Sequence, residues 1–462
     1  MTDENPGSGG FVPDPPVVRR PEYMTELPLL PQQVRWLTLD DRHPGANTPL
    51  VQLVHRLRGR LDLDAWRAAV GAVVDRHEGL RARFATRDGQ RYQYFAPPDG
   101  LAMEYVDLNE LPLADRETRA RELIDQRMAI RLNYATGPLV ASTVVRIADD
   151  DHAWALTIAH IVADGASLVT VIADLTAAYN NLVGGWRPDL PEVEIRYGDF
   201  LAWSANQDPN RYDDDMRYWV AQLDGVQAFD PPLDHPRPAR KGAPTGEVRH
   251  GVPDELCRRA VGWGQHNRSS RYVVLLTALA MLLNRWSGQE DFCIGMPVGG
   301  SERSKPEFEH VVGLFNRMVL LRCDLSGDPT VTEVLMRTRD TVLDGLDHQD
   351  LSFGQFVEEQ RIPVDPGRAQ IAQVVFVINE FQDSNDLKLT GLTVAEFPLT
   401  LPGMPYDLMA FALPDKDGLS LRIFYDTGLF TEATIADVSK RFSEVLEFAT
   451  TQPNARLADF TW

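Results

Sequence analysis

The sequence predicts an α/β protein built as two lobes, and three observations carry that prediction. Runs rich in β-branched residues alternate with helical patterns in both halves of the chain. A segment rich in glycine and proline, GGWRPDLP at residues 184–191, breaks the pattern between them. The 462 residues suffice for roughly two to three core-forming units at about 150 residues each. The expected organisation is a flexible leader at 1–26, a first lobe at 27–188 and a second lobe at 189–462.

Each element has a local reason. The leader is polar, rich in Gly and Pro and without an apolar stretch, so it is no signal peptide. It is either disordered or an arm laid along the surface. QQVRWL at 32–37 reads as a short amphipathic helix, and VQLVHRL at 51–57 alternates as a strand does. Apolar residues at helical spacing over 64–77 predict a helix that Asp62 or Asp64 caps. Residues 82–87 and 91–95 form a hairpin pattern about Asp88 and Gly89. A charged helix at 115–133 precedes strands at 139–147 and 152–158, and a long helical pattern runs from Gly165 to about Leu182. Beyond the breaker, helices are expected at 197–207, 212–223, 271–286, 330–345 and 432–449. Strands are expected at 292–297, 318–322 and 374–378, and residues 226–245, rich in Pro and Arg, form an extended loop.

Composition narrows the function. Hydrophobic residues at 44 % and charged residues at 24 % are ordinary for a globular chain. A formal net charge of −21 repels phosphate backbones and no basic stripe offsets it, which excludes nucleic acid as a partner. Cys257, Cys293 and Cys323 lack metal-ligand or redox spacing, and an odd number makes a poor disulfide framework. They read as small buried hydrophobes in a reducing, cytoplasmic compartment. No run approaches the ~18 consecutive apolar residues of a membrane span. The ten histidines are scattered without paired ligands, so no metal is expected. No phosphate-cradling GxxxxGKS/T or GxGxxG loop is present.

Chemistry concentrates in HAWALTIAHIVADGASL, residues 152–168. An apolar strand runs into His160, then come Asp164 and Gly165, and a helix begins. Histidine titrates near physiological pH and is suited to orient or deprotonate a nucleophile. The N–H groups that open the helix carry the positive end of its dipole and suit a developing oxyanion. Gly165 is expected to take a backbone conformation other residues avoid and to let a substrate approach the main chain. Asp164 would turn inward and fix the loop through an arginine. From this segment alone, a buried structural histidine with Asp164 as a helix cap is the blander reading of the same residues.

The rest of the chain sharpens the choice. Residues 159–165 (AHIVADG) resemble the HHxxxDG core of the condensation-domain superfamily. That superfamily holds the amide-forming domains of nonribosomal peptide synthetases, free-standing ester- or amide-forming relatives and polyketide-associated acyltransferases. Further motifs follow in the family's order: LPQQVRWL at 30–37 is similar to SxAQxRxW, DRHEGLRARF at 75–84 to RHExLRTRF, and YGDFLAW at 197–203 to YxDFAxW. VVGLFNRMVLLR at 311–322 resembles IGxFVNTxxxR, and HQDLSF at 348–353 matches HQDxPF except for Ser352. QVVFVIN at 373–379 and YDL at 406–408 look like the family's late strand and the DL element after it. The resemblance covers about residues 27–462. Two departures stand out: Ala159 replaces the first histidine of the core motif, and FNRM at 315–318 replaces the usual FVNT.

The resemblance implies two chloramphenicol-acetyltransferase-like lobes arranged in a V with a central tunnel. It implies an acyltransferase whose donor is a thioester, on the phosphopantetheine arm of an acyl or peptidyl carrier protein or on coenzyme A (CoA). The acceptor would be a small-molecule amine or alcohol. His160 would accept or position the acceptor's proton, the Gly165 N–H region would meet the oxyanion, and Asp164 would orient the loop. Asn379, Tyr406, Ser167 and Asn316 would contact substrate. Arg303 is the expected ion-pair partner of Asp164, with Arg81 the alternative. Asp75, Arg76 and Glu78 read as structural ion pairs, and His77 and His348 as structural. No covalent acyl-enzyme and no intrinsic cofactor are required. With no adenylation or carrier domain in view, the chain would act in trans, as a monomer. Because carrier proteins are also acidic, a local basic docking patch is expected at 237–241. Two further readings stay open. One is a non-catalytic platform that recruits a partner enzyme to carrier-bound intermediates, favoured by Ala159. The other is dehydration, cyclisation or epimerisation in the same pocket, although the paired aspartates of the cyclising variant are missing.

Overall fold

The computed structural model describes residues 15–42, 49–208, 210–378, 387–398, 401, 403–415 and 418–461. The first half of the chain forms α1 (Pro31–Arg42), β1 (Leu50–Arg58), α2 (Leu63–Arg76), β2 (Ala82–Arg87), β3 (Gln90–Phe95), β4 (Glu104–Asp107), α3 (Leu113–Met128), β5 (Val140–Ala148), β6 (Asp151–Ala159) and α4 (Gly165–Val183). Asp62 is the residue that caps α2, accepting the Ala65 N–H at 2.9 Å. The β2–β3 hairpin turns at Asp88 and Gly89, whose φ angles of 51° and 79° match a turn that requires the left-handed region. Strand β6 is buried along nearly its whole length, which suits its unbroken apolar run and its place between β1 and β5.

The second half forms α5 (Tyr197–Ala205), α6 (Asp213–Gln222), β7 (Thr245–Pro253), α7 (Asp254–His266), α8 (Arg271–Ser287), β8 (Asp291–Val298), β9 (Arg317–Asp324), α9 (Val331–Asp347), α10 (Phe353–Glu359), β10 (Val374–Ile378), β11 (Thr393–Glu396), β12 (Leu408–Asp415), β13 (Gly418–Asp426) and α11 (Glu432–Thr451). Helix α8 shows how its ends are set: the Ser270 hydroxyl accepts the Val273 N–H, and Gly288 closes the last turn at φ 75°. Strands β4, β7, β11, β12 and β13 and helices α7 and α10 add to what the sequence predicts.

Two mixed sheets result. One runs β11-β1-β6-β5-β4 and the other β7-β13-β12-β10-β8-β9. Each is backed by its own apolar core, the first centred on Trp66, Trp154 and Tyr179, the second on α8. Strand β11 comes from the second half yet pairs antiparallel with β1, with Glu396 opposite His55. Glu396 then accepts from Arg249 of β7 and Arg422 of β13, at 2.9 Å each, and so clasps the first sheet to the second. Among the described helices, α4 is long and apolar enough to match a membrane span by length and composition. Its apolar side packs on α2 inside the first core, as a core helix does. The three cysteines are free, and burial pushes the Cys293 and Cys323 thiols up, the latter to about 12, so both serve as packing groups.

Residues 15–26 take the surface-arm form of the leader; residues 1–14 lie outside the described residues. The Trp203 indole N–H donates to the Pro15 carbonyl at 2.7 Å, and Leu27 bridges to Gln93. Arg20 joins the arm to both halves: its guanidinium lies 2.8 Å from Glu78 and 2.9 Å from Asp199, both buried. Glu78 also accepts the Gly198 N–H at 2.8 Å.

This packing sets two expected outcomes. Arg20→Met strands two buried carboxylates and is expected to cost about 3 kcal/mol, read as a lower urea midpoint. A midpoint equal to wild type would refute it. Burial holds His55, His77 and His152 below the ordinary histidine value of 6.5, so the folded state disfavours their protonation. The unfolded chain therefore binds more protons below that value. Stability is full above it and lost as pH falls through the folded values, so the urea midpoint should drop between pH 7.5 and pH 5.5. A midpoint that rises over that interval would contradict the assignment.

Candidate active site

Strand β6 ends at Ala159, and the chain makes a single 3-10 turn, His160–Val162, before Asp164 caps α4. The turn is pinned from three sides. Ala159 N–H donates to Leu139 and His160 N–H to Pro49, at 2.9 Å each. The side-chain amide of Gln33, on α1, donates to the Ile161 carbonyl at 3.0 Å. Gln33 is fully buried and is itself held by Gln93 at 2.8 Å.

His160 sits edge-on to the Trp36 ring, with centroids 5.1 Å apart. Burial is the largest influence on its imidazole and lowers the pKa, against smaller opposing effects from its own backbone, Asp164 and the Ala163 peptide. The ring is therefore neutral at pH 7. Its Nδ1 is enclosed and makes no hydrogen bond of ordinary geometry. The residue as a whole is half-buried, and of its two ring nitrogens Nδ1 is the one enclosed without a partner.

The Asp164 carboxylate is a hub. Its Oδ1 accepts the Ser167 N–H at 2.8 Å and lies 2.8 Å from the Ser167 hydroxyl. Its Oδ2 accepts the Phe315 N–H at 3.0 Å. Arg303 donates to Oδ1 at 3.0 Å and also to the Phe308 and Val311 carbonyls, with its guanidinium over the Phe315 ring at 4.0 Å. Arg81 is not at this site. It ties the end of α2, donating to the carbonyls of Val74, Asp75 and Ala96.

Ser167 is 0 % exposed and its hydroxyl is engaged with Asp164 and with both the N–H and C=O of Gly313. It therefore stitches segment 308–315 to α4. Gly313 permits the close approach, since a Cβ there would fall 2.0 Å from the Tyr197 ring. Gly165 differs from expectation. Its φ is not left-handed, because it is simply the first residue of α4. A Cβ on it would meet nothing within 4 Å, so this residue faces open space beside His160. Asp164 uses the Ser167 N–H. The Gly165 and Ala166 N–H groups belong to the first turn, where a helix offers its own donors no carbonyl.

The family model for the condensation domain matches residues 23–462. The chain belongs to the condensation-domain family. It is 31 % identical over 412 residues to malpinin synthetase of Mortierella alpina, covering 89 % of this chain but only 5 % of that protein's length. To chondramide synthase of Chondromyces crocatus it is 30 % identical over 465 aligned positions, all of this chain and 12 % of that protein. The chain thus spans a small part of the curated relatives it matches. Among solved structures it is similar to the X-domain from teicoplanin biosynthesis, at TM-score 0.83 and 26 % identity over 96 % of this chain and 99 % of that one. A second structure of that domain, in complex with OxyB, gives TM-score 0.83 and 25 % identity over 98 % and 99 %. SgcC5 from Streptomyces globisporus gives TM-score 0.71 and 26 % identity, covering 93 % of this chain and all of that one. The two-sheet α/β architecture is thus that of condensation domains.

The condensation fold brings Asp164, Gly165, Ser167 and Arg303 together beside His160, while other candidates lie elsewhere. Tyr406, from the second half of the chain, faces Arg35 of α1 and is half-buried, with its phenol pushed up by burial. Asn316 is half-buried at the start of β9. Asn379 lies outside the described residues. Ala159 is 0 % exposed in the first core. His77 pairs with Asp174 at 2.6 Å, and His348 pairs with Asp215 at 2.9 Å and stacks on Tyr218. The basic patch expected at 237–241 is not a free docking surface. Arg237 lies 2.7 Å from Asp407, and Lys241 lies 2.7 Å from Asp407 and 2.9 Å from Asp426. Both cations neutralise buried carboxylates, and of the patch only Arg240 is exposed as a charge. Sequence reasoning did not single out Gln33 and Trp36, although both fall within LPQQVRWL, the motif that begins the resemblance.

Asp164→Ala removes the helix cap and leaves the Arg303 cation without its carboxylate. The expected cost is about 3–5 kcal/mol, visible as a lower thermal midpoint; Arg303→Lys should cost less because the charge persists. Equal midpoints for wild type and Asp164→Ala would dismiss the hub.

Proposed function

We propose that this condensation-family chain transfers an acyl group from a thioester to an amine or alcohol, with His160 as the base. The observation that carries the reading is a half-buried, neutral imidazole at the strand end that leads into the uncovered first turn of α4. The acceptor N–H or O–H would donate to Nε2 as the acceptor attacks the thioester carbonyl. The carbonyl oxygen would turn toward the first-turn N–H groups of α4, where the helix dipole favours negative charge. Collapse of the tetrahedral intermediate expels the thiolate, which takes up the proton held on His160. No acyl-enzyme is required. Donor candidates are carrier-bound phosphopantetheine thioesters and acyl-CoA.

A second reading has its own observations. Ala159 stands where the family motif has histidine, and the likeness to the teicoplanin X-domain, one of whose structures is a complex with OxyB, favours a recruiting platform. A third, a modified reaction in the same pocket, has no observation of its own.

Intact-mass spectrometry on a panel of carrier- and CoA-bound thioesters with amine and alcohol acceptors separates these. His160→Ala should slow transfer by about 10²–10⁴-fold. Unchanged turnover would remove His160 from the chemistry, and carrier binding with no product across the panel would favour the platform. Because burial lowers the His160 pKa from 6.5, the rate should hold at pH 7 and fall only on the acid side of that value. A rate that climbs through that range as pH drops would count against a neutral base.

A further inference from the structure

Arg35 lies on α1 one residue before Trp36, the ring that packs on His160, and it reaches across to the second lobe. Its guanidinium stands 5.8 Å from the Phe353 ring centroid, donates to the Gln370 side-chain oxygen and faces the Tyr406 phenol. All three neighbours are neutral. Four other enclosed arginines are matched by carboxylates: Arg20 by Glu78 at 2.8 Å, Arg237 by Asp407 at 2.7 Å, Arg303 by Asp164 at 3.0 Å and Arg317 by Glu302. Among the described residues, no carboxylate ion-pairs with Arg35. Burial pushes its pKa below the ordinary arginine value, and the Tyr406 phenol and Glu358 of α10 offset that only in part. Arg81 is also lowered by burial, but its donors end on backbone carbonyls, whereas Arg35 keeps most of its fork unused.

A partly dehydrated cation with neutral neighbours is costly to keep unless something anionic completes it. The planar fork of an arginine fits the paired oxygens of a carboxylate or phosphate. We propose that Arg35 is an anion-recognition residue where α1 meets α10 and Tyr406, receiving a carboxylate or phosphate group of a ligand that approaches His160. The inference rests on the acyl-transfer reading for where the ligand goes, but binding alone tests it. Two sources share this chemistry: a free acceptor that carries a carboxylate, and the phosphates of CoA or phosphopantetheine.

Calorimetric titration of the full chain with matched probes tells them apart. CoA is compared with pantetheine, and free L-amino acids are compared with their carboxamides. In one pair, wild type should bind the anionic probe about 10- to 100-fold more tightly than its neutral counterpart. Arg35→Gln should abolish that preference and leave the neutral probe unchanged. A preference in the CoA pair assigns phosphate, and one in the amino-acid pair assigns carboxylate. If Arg35→Gln fails to fold, Arg35→Lys decides, since it keeps the charge, loses the fork and should weaken only the anionic probe. His160→Ala should retain the preference, so loss of turnover and loss of anion recognition are read separately. A wild-type preference that survives in the Arg35 variants, or no preference in either pair, overturns the proposal.

Discussion

The Asp164 carboxylate accepts the Ser167 N–H on one oxygen and the Phe315 N–H on the other, while Arg303 donates to both. Each contact does a separate job. The first caps α4 and so fixes where the helix begins. The second draws in the chain that leads to β9, and the third brings the polar loop after β8. A carboxylate this deeply buried is tolerable only when its lone pairs are filled and its charge matched. The same requirement that satisfies Asp164 therefore sets the register between the two halves. His160 is positioned as a by-product, four residues before a point that cannot move.

Around the hub the two halves are joined by apolar as well as polar contact. Tyr197, Phe200 and Trp203 of α5 pack with Phe308 and Phe315, the Phe200 and Phe315 rings 4.3 Å apart. Val312 belongs to the first core although it lies in the second half. Arg20 adds a third tie by joining the N-terminal arm to Glu78 and Asp199. His160 therefore sits at a junction of three segments remote in sequence. Such a site holds its geometry because each segment is anchored independently of the substrate.

The parts of the fold that the sequence made legible are those with strong local signals. Helix α2 announces itself by spacing and cap, α8 by its apolar length and the β2–β3 hairpin by Asp88 and Gly89. The HxxxDG segment was legible because its residues are consecutive, and the Asp164–Arg303 contact because the family resemblance implies it. Much else was not. Strand β11 is only four residues long and half-exposed, so it carries almost no periodicity. Of the two roles expected of Gly165, the open space is there and the unusual backbone conformation is not, because a glycine in the sequence shows a missing side chain but not its φ. Arg237 and Lys241 looked like a surface patch since their partners, Asp407 and Asp426, lie far along the chain. The enclosure of Arg35 by neutral groups has the same origin.

Strand β11 also constrains how the protein is made. It forms one border of the first sheet, and the chain must be synthesised through residue 396 before that border exists. Until then β1 presents a row of unpaired backbone donors and acceptors, the kind of template on which other chains add. A nascent first half is thus sticky for most of translation, and its closure waits on a contact of very long sequence separation, which slows folding. Fragments that stop before residue 393 would inherit that open border permanently, so dissecting this protein into its halves exposes a surface the intact chain never shows.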